Sequence, residues 1–93
     1  MKIKQTDDAK KGFFLADDNS AEAGKMTYVW AGNNKIIIDH TEIYPEYAGK
    51  GVGKLLLLEA VAYARSKEIK VLPLCPFAKS VFDKNPELAD VLF

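Results

Sequence analysis

A chain of 93 residues predicts one small domain, because a second hydrophobic core does not fit in that length. Hydrophobic residues make up 48% and charged residues 28%, ordinary values for a folded domain that exclude a disordered one. The 13 Lys and Arg balance the 13 Asp and Glu, so no general field draws the protein to nucleic acid or to an anionic membrane, and any anion site must be local.

The lone cysteine, Cys75, excludes an intramolecular disulfide and suits a reducing compartment. Met1 to Lys11 is charged and polar, with no apolar stretch of signal-peptide length. The most apolar stretch, Leu55 to Ala64, is interrupted by Glu59 and is too short to cross a bilayer. The expectation is a cytoplasmic protein with no membrane or nucleic-acid partner.

In chain order, Ile3 to Thr6 reads as a short edge strand, and as an exposed edge it allows a monomer or a weak dimer. Gly12 to Ala16 reads as a second strand, closed by the turn residues Asp17-Asp18-Asn19-Ser20. From Ala21 to Trp30 the residues alternate, and the set holding Met26, Tyr28 and Trp30 predicts the core-facing side. Ala31-Gly32-Asn33-Asn34 is a turn signal. The fourth strand, Lys35 to about Ile43, starts apolar on both faces at Ile36-Ile37-Ile38, as for a strand covered on both sides. It ends polar on both faces at Asp39-His40-Thr41-Glu42, as for a strand opening onto water or a site, with Asp39 and Glu42 expected on opposite faces.

A helix is predicted from about Lys50 to Lys67, apolar over so much of its surface that packing on more than one side is expected. A strand from Glu68 to Leu74 follows, and strand, helix and strand in this order form a right-handed parallel crossover. Pro76 suits the first turn of another helix, which Pro86 ends, and Val91-Leu92-Phe93 reads as a last short strand. The fold class is α+β, or mixed α/β, with antiparallel N-terminal strands followed by a βαβ unit.

The loop Ala48-Gly49-Lys50-Gly51-Val52-Gly53-Lys54 opens the long helix. Helix starts carry unpaired amides and the positive end of a dipole, and glycines let the backbone approach phosphate oxygens. A Walker A loop requires glycine at Ala48 and Ser or Thr at Leu55, and both fail. A dinucleotide fingerprint from Gly49 requires Gly or Ala at Lys54, and that fails too.

The loop resembles the coenzyme A loop of the GNAT superfamily of N-acetyltransferases: Arg or Gln, two residues, Gly, one residue, Gly or Ala, then a helix. Gly51 and Gly53 match, while Ala48 stands at the Arg/Gln position. The likeness covers Ile36 to Leu74 firmly and the earlier strands loosely. The segments Ile38-Asp39-His40-Thr41 and Cys75-Pro76-Phe77-Ala78-Lys79 are similar to those of a group of very small GNAT-like proteins.

The resemblance implies acetyl-CoA as cosubstrate, splayed parallel strands with the thioester between them, and contacts from Thr41, Glu42, Ile43 and Ala48, Gly49, Lys50, Gly51, Val52, Gly53, Lys54. It also implies helices after the first strand that shape the acceptor side. Asp7 to Lys11 leaves no room for them, so an open acceptor side is expected. The last helix carries Phe77 and Phe82 and no tyrosine, so the acid usual in that family is missing.

His40 and Cys75 both fall at the C-terminal ends of the two parallel strands. One reading makes Cys75 the nucleophile and His40 its base, passing the acetyl group to an unidentified amine on a small molecule or a protein. The other is a module that binds or senses acetyl-CoA without turnover. A lone cysteine is more often a small buried hydrophobe, and a lone histidine more often a structural hydrogen-bonding residue. No metal site is expected.

Overall fold

The computed structural model describes residues 1–93. One five-stranded sheet carries strands β1 (Lys2–Asp7), β2 (Lys11–Asp18), β3 (Ala21–Trp30), β4 (Lys35–Ile43) and β5 (Lys70–Pro73) in the order β1-β2-β3-β4-β5. The first four pair antiparallel through short turns, and β4 pairs β5 in parallel. Helix α1 (Val52–Lys67) makes the crossover between β4 and β5, and α2 (Pro76–Lys84) follows β5. This is the mixed α+β layer that the residue pattern predicts.

The core lies between one sheet face and the two helices. Phe14, Met26, Tyr28, Ile36 and Ile38 supply the sheet side, and Val52, Leu56, Leu57, Val61 and Ala64 the α1 side. Both helices pack on this same face. The other face holds Phe13, Leu15, Val29 and Ile37, all only half-buried. Ile36-Ile37-Ile38 is therefore covered on one side, not two, because Ile37 looks onto a face without a helix. α1 likewise packs over less of its surface than its composition suggests: Leu55 and Leu58 stay 45% and 38% exposed, since no second helical layer lies over them.

Asp8–Lys10 alone joins β1 to β2, so the acceptor-side helices are absent, as expected. Residues Pro86–Val91 form a 3-10 helix, and the predicted last strand shrinks to a single bridge between Leu92 and Val71. Arg65 in α1 donates two hydrogen bonds to Asp90, tying that segment down. No helix is long and apolar enough to cross a membrane.

Candidate coenzyme and acetyl-transfer site

The helix begins at Val52, two residues later than its pattern suggests. Gly49 and Gly51 have φ of +77° and +78°, left-handed values that end any helix through them and that glycine adopts without strain. The first hydrogen bond reaching into α1 runs from the Leu55 amide to the Gly51 carbonyl, 3.1 Å. The amides of Gly49, Gly51, Val52, Gly53 and Lys54 therefore donate to no backbone carbonyl, although Val52 and Gly53 are buried. Unpaired buried donors cost about 1–3 kcal/mol each unless something accepts from them. They border a groove of about 380 Å³ lined by Ile43, Tyr47, Gly51, Gly53, Lys54 and Phe77. Lys50 and Lys54 stand exposed beside it, and Ala48 adds no polar side chain.

Gly53 has a different role from Gly51. A Cβ built on Gly51 meets nothing within 4 Å, whereas one built on Gly53 falls 2.4 Å from the Phe77 ring. Gly53 is there so that α1 and α2 can approach; Gly51 is there for its backbone angle.

The parallel strands separate beside this loop. Their pairing stops at Ile38 and Pro73, and the Ile38 carbonyl accepts from both the Leu74 and Cys75 amides, at 3.0 and 3.2 Å. From Asp39 on, β4 has no strand partner on that side. Across the opening, Thr41 Oγ1 lies 3.3 Å from Cys75 Sγ. Cys75 caps α2, its sulfur accepting from the Ala78 amide at 3.4 Å, and it is 6% exposed.

A bulge decides which side chains meet. Thr27 pairs His40 while the adjacent Tyr28 pairs Ile38, so Asp39 is an extra residue in β4. Beyond it Thr41 faces Met26 on the core side, while His40 shares the open face with Thr27. His40 and Cys75 thus reach the same sheet edge from opposite faces, and Thr41 is the residue that touches the thiol. The same bulge corrects a further expectation: Asp39 accepts from Thr27 Oγ1 at 2.7 Å and Glu42 pairs Lys25, so both carboxylates lie on the open face. A strict alternation of faces cannot anticipate an inserted residue.

Residues 12–91 match the family model described as GCN5-related N-acetyl-transferase. The chain belongs to the GNAT family. Among curated proteins no sequence matches it. It is similar to a GCN5-like protein from Staphylococcus aureus solved by NMR, with 38% identity, TM-score 0.74, and 99% of this chain and 87% of that one covered. The fold also matches a ribosomal-protein-alanine N-acetyltransferase from Brucella melitensis biovar Abortus 2308, at 16% identity and TM-score 0.71 over 83% of this chain. A GNAT family acetyltransferase from Elizabethkingia anophelis with acetyl-CoA bound matches at 15% identity and TM-score 0.67 over 83% of this chain. This chain spans 62% and 53% of those last two proteins.

This chain has the splayed strands and the helix-mouth loop that the resemblance implies, and a short turn, Asp8–Lys10, where the resemblance implies covering helices. One feature was not anticipated from sequence: Phe77 as a wall of the loop groove. The available signal was a glycine, Gly53, in the first turn of a helix, where no backbone angle requires it.

Proposed function

We propose that this GNAT domain binds acetyl-CoA and transfers its acetyl group to an amine. The observation that carries the reading is the set of unpaired amides of Gly49, Gly51, Val52, Gly53 and Lys54 at the start of α1, which suits a diphosphate. Hydrogen bonds to a charged group contribute about 1.5–3 kcal/mol each, enough for two or three to hold it without a side chain at Ala48. The free edge of β4 at Thr41, Glu42 and Ile43 offers backbone groups to the amides of the coenzyme arm. The Elizabethkingia protein carries acetyl-CoA on the same fold, which supports the choice of ligand.

For the chemistry we propose Cys75 as acetyl carrier with His40 as base. Cys75 sulfur forms a new bond to the acetyl carbon as the bond to coenzyme sulfur breaks. The thiol proton, taken through His40, ends on the departing coenzyme thiolate. An acceptor amine then forms the C–N bond and regenerates the Cys75 thiol. This step requires Cys75 to become accessible and His40 to act across the strand, through water.

A binding module without turnover is the second reading. It is favoured by the 6% exposure of Cys75 and by its contact with Thr41 in place of His40. Incubation with acetyl-CoA followed by mass spectrometry separates the two. Acetyl mass on Cys75 of the wild type, absent from Cys75→Ala, supports the carrier. Transfer to an amine that persists unchanged in Cys75→Ala sinks it, and no transfer to any amine leaves the module. An acetyl-CoA titration without amide shifts at Gly49–Lys54 removes both.

A further inference from the structure

The open face of the sheet holds a second groove, about 330 Å³ in volume, that the coenzyme does not need. Thr6, Phe13, Lys25, Thr27, Val29 and Asp39 line it. It begins at the bulge, where β4 parts from β5, and crosses β3 and β2 towards β1. We infer that this groove binds the acceptor, and that the acceptor is a small linear amine carrying an acid group at its far end. The inference rests on the acetyl-transfer reading above for its chemistry and on this groove for its specificity.

Three features set that class. Asp39 stands at the end nearest the strand opening, with Oδ1 held by the Thr27 hydroxyl at 2.7 Å and its other oxygen free to accept from an ammonium group. Phe13 and Val29 form an apolar floor along the middle. Lys25 reaches across from β3, its ammonium 4.2 Å from the centre of the Phe13 ring on β2. Phe13 on β2 lies two strands away from Asp39 on β4, a backbone spacing of roughly 10 Å across the sheet that the groove spans. Asp8 and Lys11, also at the rim, carry opposite charges, and Asp8 is occupied by the backbone amides of Lys10 and Lys11. A diamine would meet Lys25 with a like charge, and a simple alkylamine would leave it without an ion pair, since its cross-strand neighbour Glu42 forms none with it.

In the reaction, the bound ammonium loses a proton to water. The neutral amine forms its C–N bond to the acetyl carbon, the C–S bond breaks, and the second amine proton leaves with the thiol. The product keeps its acid group and loses its positive charge, so Asp39 no longer holds it.

Amide shifts recorded with 6-aminohexanoate, hexylamine, hexanoate and 1,6-diaminohexane test the assignment without requiring turnover. 6-Aminohexanoate is expected to saturate shifts at Phe13, Lys25, Thr27 and Val29 with a Kd roughly fivefold below each of the others. Lys25→Gln should erase its advantage over hexylamine, and Asp39→Asn its advantage over hexanoate. Equal affinities for the four ligands, or shifts elsewhere on the surface, overturn the inference. Acetyl-CoA titrated into the same sample reads Gly49–Lys54 separately: loss of that response defeats the transfer reading and leaves the groove standing, and the reverse defeats only the acceptor.

Discussion

The ring of Phe77 rests on Gly53, so close that a single added carbon at Gly53 would sit 2.4 Å from the ring. This contact locks the start of α2 to the start of α1 and builds one wall of the loop groove. Gly53→Ala is expected to destabilise the fold by about 1–3 kcal/mol, the usual cost of overpacking. Phe77→Ala in the same chain should remove the clash, so a double-mutant cycle by urea denaturation should show the two changes costing less together than their sum. Additive costs would mean that the ring moves away freely.

Gly51 separates conformation from packing. Its φ of +78° is unfavourable for any other residue, while the space around it is open. Gly51→Ala is expected to cost about 1 kcal/mol or more in stability through the backbone. Because the altered turn carries the free amides, it should weaken acetyl-CoA binding at least tenfold. Calorimetric binding that matches the wild type would separate the glycine from the ligand.

Neighbouring leucines of α1 face different surroundings. Leu57 is fully buried and Leu58 is 38% exposed. Leu57→Ala should cost about 2–5 kcal/mol, whereas Leu58→Lys should stay within about 0.5 kcal/mol. Similar denaturation midpoints for the two variants would indicate a second layer over α1.

Asp7 sets an acid limit on stability. Burial pushes its carboxyl up, but hydrogen bonds from Tyr28, Trp30 and the Ala9 amide, with the Lys67 charge, bring it below the ordinary carboxylate range. A lowered folded value contributes stability that is fully present above the unfolded value of about 3.9 and is lost as pH falls through the folded one. Unfolding midpoints measured from neutral pH down to pH 2 should therefore fall in the acid region, and Asp7→Asn should flatten part of that fall. Asp8, held down by the amides of Lys11 and Lys10, and Asp90, held down by Arg65, keep the remainder. An unchanged acid limb in Asp7→Asn would show that the hydrogen bonds to Asp7 contribute nothing to it.

Much of this protein was legible from residues alone because the signals were local. Turn clusters at Asp17–Ser20 and Ala31–Asn34 delimit β3, and a run of leucines and alanines after three glycines announces α1. Strand, glycine loop, helix and strand in succession specify a parallel crossover with the loop at the strands' C-terminal edge, which is also where the candidate site lies.

Three-dimensional structure alone decided what faces what. One inserted residue, Asp39, turns His40 away from Cys75 and brings Thr41 to the thiol, because each residue shift in a strand exchanges its faces. The same holds for the glycines, which look alike in the chain: Gly51 answers to a backbone angle and Gly53 to a ring arriving from 24 positions later, as the numbering of Gly53 and Phe77 shows. The sequence by itself determined which elements form and in what order, since propensity and periodicity act between near neighbours. Packing between distant segments determined which side chains share a site, because that depends on register and on the approach of one helix to another.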